Sequence, residues 1–175
     1  MTEAQLSNAM DAYGSTVYRL ALTRMQNIAD AEDVYQEVFL RLWKQAAEDW
    51  DGDRAKAWLI RTTLNRCADL HRFHLRRPVL SFAEIPDLAQ PEDESRELWE
   101  AVSRLPEKAR TAVHLYYAEG YSAEEISQLM HIPAATVRTR LHRARKQLKE
   151  LLGDIDDETC VSRSDGTNFG PQRAE

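Results

Sequence analysis

The chain has 175 residues, 43% hydrophobic and 30% charged, with only six Gly and six Pro, which excludes a fibrous or wholly disordered protein and favours helices over a turn-rich all-β fold. Its formal net charge of −6 argues against a nucleic-acid partner only on average, because residues 61–78 carry five basic side chains to one acidic, and residues 134–153 six to one. Two short basic blocks in an acidic body set local fields within a Debye length of about 8 Å, and local field decides what a surface attracts.

Leu6, Met10, Tyr13, Val17, Leu20, Ala21 and Met25 recur at steps of three and four, the period of a first helix. Asp30 is a candidate cap for a second, with Val34, Val38 and Leu42 on one stripe beside Phe39 and Trp43. Asp49–Asp53 reads as a turn, and a third helix runs from about Ala55 to Leu75. Pro78, Pro86 and Pro91, followed by Glu92-Asp93-Glu94, break any helical period, so 79–94 is predicted to be an acidic linker. Leu98, Val102 and Leu105 mark a helix stopped at Pro106, and another covers Lys108 to Glu119, ending at Gly120. Ser122-Ala-Glu-Glu125 is a capping box for a short helix to Met130. After His131-Ile132-Pro133 a last helix runs from Ala134 to about Leu152. The fold class predicted is therefore all-α: two small helical domains, 1–78 and 95–153, on a flexible acidic tether, with 154–175 a disordered tail.

The third helix has an unusual wet face. Advancing about 100° per residue brings Trp58, Arg61, Thr62, Asn65, Arg72, Phe73 and Arg76 to one side. Solvation alone would be served by Lys and Glu. Aromatics beside Arg offer stacking and charge for a single strand, while Asn65 and Thr62 can bond a base edge; the plainer alternative is a solvated face with Trp58 tucked inward. Cys67, His71 and His74 share the opposite side and are metal-ligand types, but they sit among leucines with no fourth ligand near. They are read as core, and no metal or cofactor is expected.

The segment from Ser122 onward has the length and turn of a helix-turn-helix. In its last helix Ala134, Ala135, Thr136 and Thr139 are small enough for close approach to a duplex, and Arg138, Arg140 and Arg143 can reach bases or phosphates. The second helix opens with acids and has a different character. Asp33, Gln36, Glu37 and Leu40 form a polar-to-apolar edge suited to a protein partner.

Taken in order, Asp33-Val-Tyr-Gln36-Glu37-Val-Phe39, Trp58-Leu59-x-Arg61-x-x-x-Asn65-x-x-x-Asp69-x-x-Arg72, and Gly120-Tyr121-Ser122 through Ile132-Pro133-x-x-Thr136-Val137-Arg138-Thr139-Arg140-Leu141-His142-Arg143 resemble the extracytoplasmic-function (ECF) group of bacterial sigma-70 factors. The resemblance covers about residues 8–152; Tyr35 and His131 depart from the commonest pattern. It implies a non-enzymatic factor that binds core RNA polymerase and directs promoter-specific initiation. Asp33, Gln36, Glu37, Phe39 and Arg41 would then dock on the polymerase. The Trp50–Lys56 loop with Trp58, Arg61, Thr62, Asn65, Arg72 and Arg76 would melt and read the minus-ten element as a single strand. Ala135, Thr136, Arg138, Thr139, Arg140 and Arg143 would read the minus-thirty-five element as duplex. An anti-sigma factor, often membrane-bound, is a further implied partner. The chain itself has no run of about 20 apolar residues to insert in a membrane, no signal-peptide pattern at its start, and only Cys67 and Cys160, so a cytoplasmic location is expected. An autonomous operator-binding regulator and a Cys/His metal sensor are the competing classes.

Overall fold

A computed structural model describes residues 2–45, 52–76 and 93–153. Residues 49–51 of the predicted turn, nearly all of the linker and the tail with Cys160 lie outside the described residues, and Gly52 and Asp53, read as the end of that turn, instead open a helix.

Among the described residues seven helices follow in order: α1 (Glu3–Met25), α2 (Ile28–Lys44), α3 (Gly52–Arg76), α4 (Asp93–Ser103), α5 (Glu107–Val113, continued by a π-helical turn His114–Ala118), α6 (Ala123–Met130) and α7 (Ala134–Leu152). Among the described residues there is no strand. α1 starts on a reciprocal cap, Thr2 Oγ1 accepting from the Gln5 amide while Gln5 reaches back to the Thr2 N–H. It stops at Gln26, which takes the left-handed conformation at φ 53°. The cap of α2 is Asn27, not the expected Asp30: the Asn27 carboxamide accepts from the Asp30 amide at 3.0 Å, and Asp30 lies in the first turn. Both are good capping types; the polar side chain nearest the α1 stop captured the free amides first. α4 begins two residues inside the stretch read as linker.

α1, α2 and α3 pack into one unit around Val17, Ala21, Val34, Val38, Leu42 and Leu59, none more than 1% exposed. Cys67 closes this core; burial pushes its thiol up to about 12, so it sits there as an inert small hydrophobe. α4 to α7 form a second unit around Leu105, Leu115, Ile126, Val137 and Leu141. The two units of the sequence reading are both present, but they are not apart. Leu20 of α1 and Ile60 and Leu64 of α3 belong to the second core, together with Leu105, Leu115 and Ile126. The helical period shows that Ile60 and Leu64 are buried; it does not reveal which unit buries them.

Candidate nucleic-acid interface

Three surfaces carry the predicted residues. On α3, Arg61, Asn65, Arg72 and Arg76 are exposed, at one long helix edge. Trp58 is half-buried against the first core, which places its ring as a ledge at the boundary of that edge. Thr62 does not lie on the surface as expected. It is 8% exposed, and its hydroxyl donates to the Trp58 carbonyl one turn back at 2.8 Å, so that proton is already spent on the helix. Arg72 is ion-paired with Asp69 on the surface. Arg72, Arg76 and Phe73 share an open groove between α2 and α3 with Arg66 and Asp33. Arg66 was not among the residues expected at the site: its wheel position falls at the margin between wet and buried faces. Of the predicted α3 residues, Arg61 and Asn65 thus stand on the open edge, whereas Arg72 and Arg76 border the groove toward α2.

Cys67, His71 and His74 are not brought together as a ligand set. His71 Nε2 faces Glu107 at 3.7 Å and His74 Nε2 meets Asp30 at 3.2 Å, each taking a carboxylate from a different helix. Among the described residues no cluster of three metal-ligand types occurs.

On the second unit the expected helix-turn-helix is built locally. Ser122 Oγ accepts from the Glu125 amide at 3.3 Å and the Glu125 carboxylate accepts from the Ser122 amide at 2.8 Å, so two free donors at the start of α6 are satisfied. His131 ends α6 at φ 52°, the left-handed conformation that glycine adopts most easily, and its N–H closes on the Ser127 carbonyl. Pro133 opens α7, its carbonyl accepting from Thr136 and Val137. Val137, Leu141 and Ala144 face inward against Ile126 and Leu129, and the opposite side of α7 is left to solvent. There Ala135, Arg138, Thr139 and Arg143 are exposed, with Thr136 and Arg140 half-buried beside them. Arg138 pairs with Glu124 across two largely exposed side chains, a contact worth little and easily exchanged for a phosphate. Arg145 has another task. Its Nε donates to the Tyr117 hydroxyl at 2.7 Å and its guanidinium lies 5.7 Å and 5.9 Å from the Tyr116 and Tyr117 rings, tying α7 to the π-helical turn.

The third surface is α2. Asp33 and Gln36 are exposed, and Leu40 and Trp43 are 47% and 41% exposed, an apolar strip beside the acids. The Arg41 guanidinium, donating to Glu37 at 2.9 Å, holds the Glu37 carboxyl below its usual range. Phe39 lies elsewhere than expected: it is 4% exposed, its ring 4.8 Å from that of Tyr35, and it supports the surface from beneath. Exposed Leu40 occupies the place on the surface that a side chain at Phe39 cannot reach. The clue was in the sequence, since one stripe of a small bundle has no room for every apolar residue of α2.

An all-helical chain with a basic, outward-facing second helix in a helix-turn-helix is the architecture of a DNA-binding protein. Residues 9–77 match the family described as Sigma-70 region 2, and residues 95–148 the one described as Sigma-70, region 4. The chain is 34% identical over 161 residues to the ECF RNA polymerase sigma factor SigE of Mycolicibacterium smegmatis, covering 86% of this chain and 62% of that one. It therefore spans less than two thirds of SigE's own length. It is 29% identical over 170 residues to the ECF RNA polymerase sigma factor SigW of Bacillus subtilis, covering 85% of this chain and 89% of that one. The fold is also that of the sigma factor RpoE from Bartonella quintana, solved with the anti-sigma factor NepR, at a TM-score of 0.73 and 23% identity over 87% of this chain and 99% of that one. The chain belongs to the ECF group of the sigma-70 family, whose members are initiation factors and not enzymes.

Proposed function

We propose that the chain binds core RNA polymerase and directs promoter-specific initiation. Asp33, Gln36, Glu37, Arg41 and Leu40 form the docking surface, with Phe39 bracing it. Arg61 and Asn65 hold the non-template strand of the minus-ten element against Trp58. Exposed aromatic–arginine edges favour unpaired bases, at about 1–3 kcal/mol per stacked base, and Arg66, Arg72 and Arg76 continue the positive track. Thr62 positions Trp58 through its backbone. Ala135, Thr136, Arg138, Thr139, Arg140 and Arg143 read the minus-thirty-five duplex in the major groove.

The observation that carries this reading is that three exposed faces of different chemistry lie on the region 2 and region 4 segments in family order. The protein works in the cytoplasm, where polymerase is; among the described residues no helix is long and apolar enough to cross a membrane. An anti-sigma factor is the natural regulator, by analogy with RpoE solved with NepR.

The test is co-elution with core polymerase on a sizing column, beside a Glu37→Lys variant. Co-elution of the wild type and its loss in a variant with unchanged helical circular dichroism supports the reading. A protein that shifts promoter duplex alone and never co-elutes with core would be an autonomous regulator instead.

A further inference from the structure

Tyr35, which departs from the commonest family pattern, lines an open hollow between α1 and α2 together with Gly14, Ser15, Tyr18, Glu32 and Gln36. Gly14 is what admits the ring. A Cβ there would stand 3.1 Å from the Tyr35 hydroxyl oxygen, so the phenol closes directly on the α1 backbone. Two aromatic neighbours hold it in place: the Tyr18 ring meets it edge to face at 6.3 Å between centroids, and the Phe39 ring lies 4.8 Å away.

Two half-buried phenols, the exposed Glu32 carboxylate, the exposed Gln36 carboxamide and the exposed Ser15 hydroxyl therefore converge on one spot. Among the described residues, none of these five side chains makes a hydrogen bond or ion pair within the chain. No cation lines the hollow. Asp11, exposed one turn before Ser15 on the same face of α1, adds a second carboxylate to its rim. The other flank of α2 has the opposite sign. There Arg66, Arg72 and Arg76 outnumber Asp33 and Asp69 in the groove toward α3. The docking ridge of α2 thus runs between an acidic hollow and a basic groove, and Gln36 belongs to both ridge and hollow.

These groups suit an arginine. A guanidinium has five donors and no acceptor, which a carboxylate, an amide carbonyl and three hydroxyl oxygens can satisfy, and its plane stacks on phenol rings. A lysine is a point charge that would use the rings less well, and Glu32 would repel a phosphate. Arginines seated in shaped hollows are also frequent anchors of protein interfaces. We propose that this hollow is the seat of an arginine side chain of core RNA polymerase, an anchor on the α1 flank of the docking ridge. The inference rests on the polymerase-binding function above and names the group that is gripped. With acid on one flank and base on the other, the ridge accepts its partner in one orientation.

The test is the affinity of the full chain for core polymerase, measured by competition against dye-labelled wild type, with circular dichroism melts of each variant. Glu32→Lys puts a cation where the guanidinium sits and is expected to weaken binding roughly tenfold or more. Ser15→Arg fills the hollow with the chain's own guanidinium from an exposed position, and should do the same even if Glu32→Lys misfolds. Tyr35→Phe keeps the ring against Phe39 but loses the hydroxyl, for a loss of a few-fold. Glu3→Lys makes the same charge change on α1 outside the hollow and should stay within about twofold of wild type. p-Benzoylphenylalanine at position 15 should crosslink to an arginine-containing peptide of core polymerase. Folded hollow variants that bind as tightly as wild type, an equal loss in Glu3→Lys, or a co-eluting complex without that crosslink would each overturn the arginine seat alone. A wild type that never binds core would overturn the proposed function, and the seat with it.

Discussion

Buried polar side chains concentrate where the units meet, and His114 shows what that means for one residue. It is 9% exposed, its Nδ1 hydrogen-bonded to the Thr23 hydroxyl at 3.2 Å and its Nε2 3.8 Å from the Glu119 carboxylate. Lys56 offsets part of that carboxylate's charge, and Arg19 also opposes a second cation. Burial outweighs the attraction of Glu119, so the His114 pKa falls below its ordinary 6.5. The unfolded chain therefore takes up a proton below about pH 6.5 that the folded chain still refuses, and this group makes stability fall as pH drops through that range. Denaturant unfolding at pH 5 and pH 7 is expected to show the loss, and His114→Gln, neutral throughout, should flatten it. A second pair of residues separates structure from contact. Phe39→Ala should cost about 3–5 kcal/mol of stability. Leu40→Ala should stay within about 0.5 kcal/mol of wild type yet weaken co-elution with core; thermal melts beside sizing runs check both. The helical period put Leu40 on the partner-facing edge, whereas the docking role for the buried Phe39 came from the family resemblance. The resemblance is written in residue identities, and those do not distinguish a side chain that touches a partner from one that supports it.

At the scale of elements, most of the secondary structure was legible because the signals are local. The Ser122 box, the stop at Gly120 and the left-handed His131 each depend on residues within one turn of one another. The cap of α2 was missed by three positions because Asn27 and Asp30 are both suitable, and only the path out of α1 selects between them. α7 illustrates a different limit. Its six basic residues look equivalent in a charge tally, but the fold divides them. Arg143 is exposed on the outward face, whereas Arg145 is committed to Tyr117. Arg143→Ala is expected to reduce affinity for a minus-thirty-five duplex several-fold and to shallow its salt dependence by about one counterion. Arg145→Ala should leave that slope nearly unchanged and lower the melting temperature instead. Fluorescence anisotropy across a salt series, with melts of the same samples, distinguishes the two.

For the whole molecule, the sequence indicates two helical units and three surfaces but not their assembly. The polar contacts from α1 to the second unit link residues 77 to 103 positions apart, and hydrophobic period carries no information at that range. Ile60 and Leu64 lie on the apolar side of α3 in either arrangement, so the same pattern fits a tether with independent domains or a closed pair. Charge was equally silent on the point. Glu107 and Glu119 add to the acidic tally of the body, yet in the fold each answers a cation on the other unit.

The π-helical turn at His114–Ala118 bears on this assembly through rotation. In a regular α-helix two side chains five residues apart point about 140° away from each other. The wider turn, closed by the Glu119 amide on the His114 carbonyl at 3.2 Å, brings that pair back to one side. One extra residue wound into the helix thus acts as a phase shifter, swinging Glu119 round to meet α1 and α3. Take out a single residue there and the helix would run on as smoothly as before, but the two halves of the protein would be left out of step.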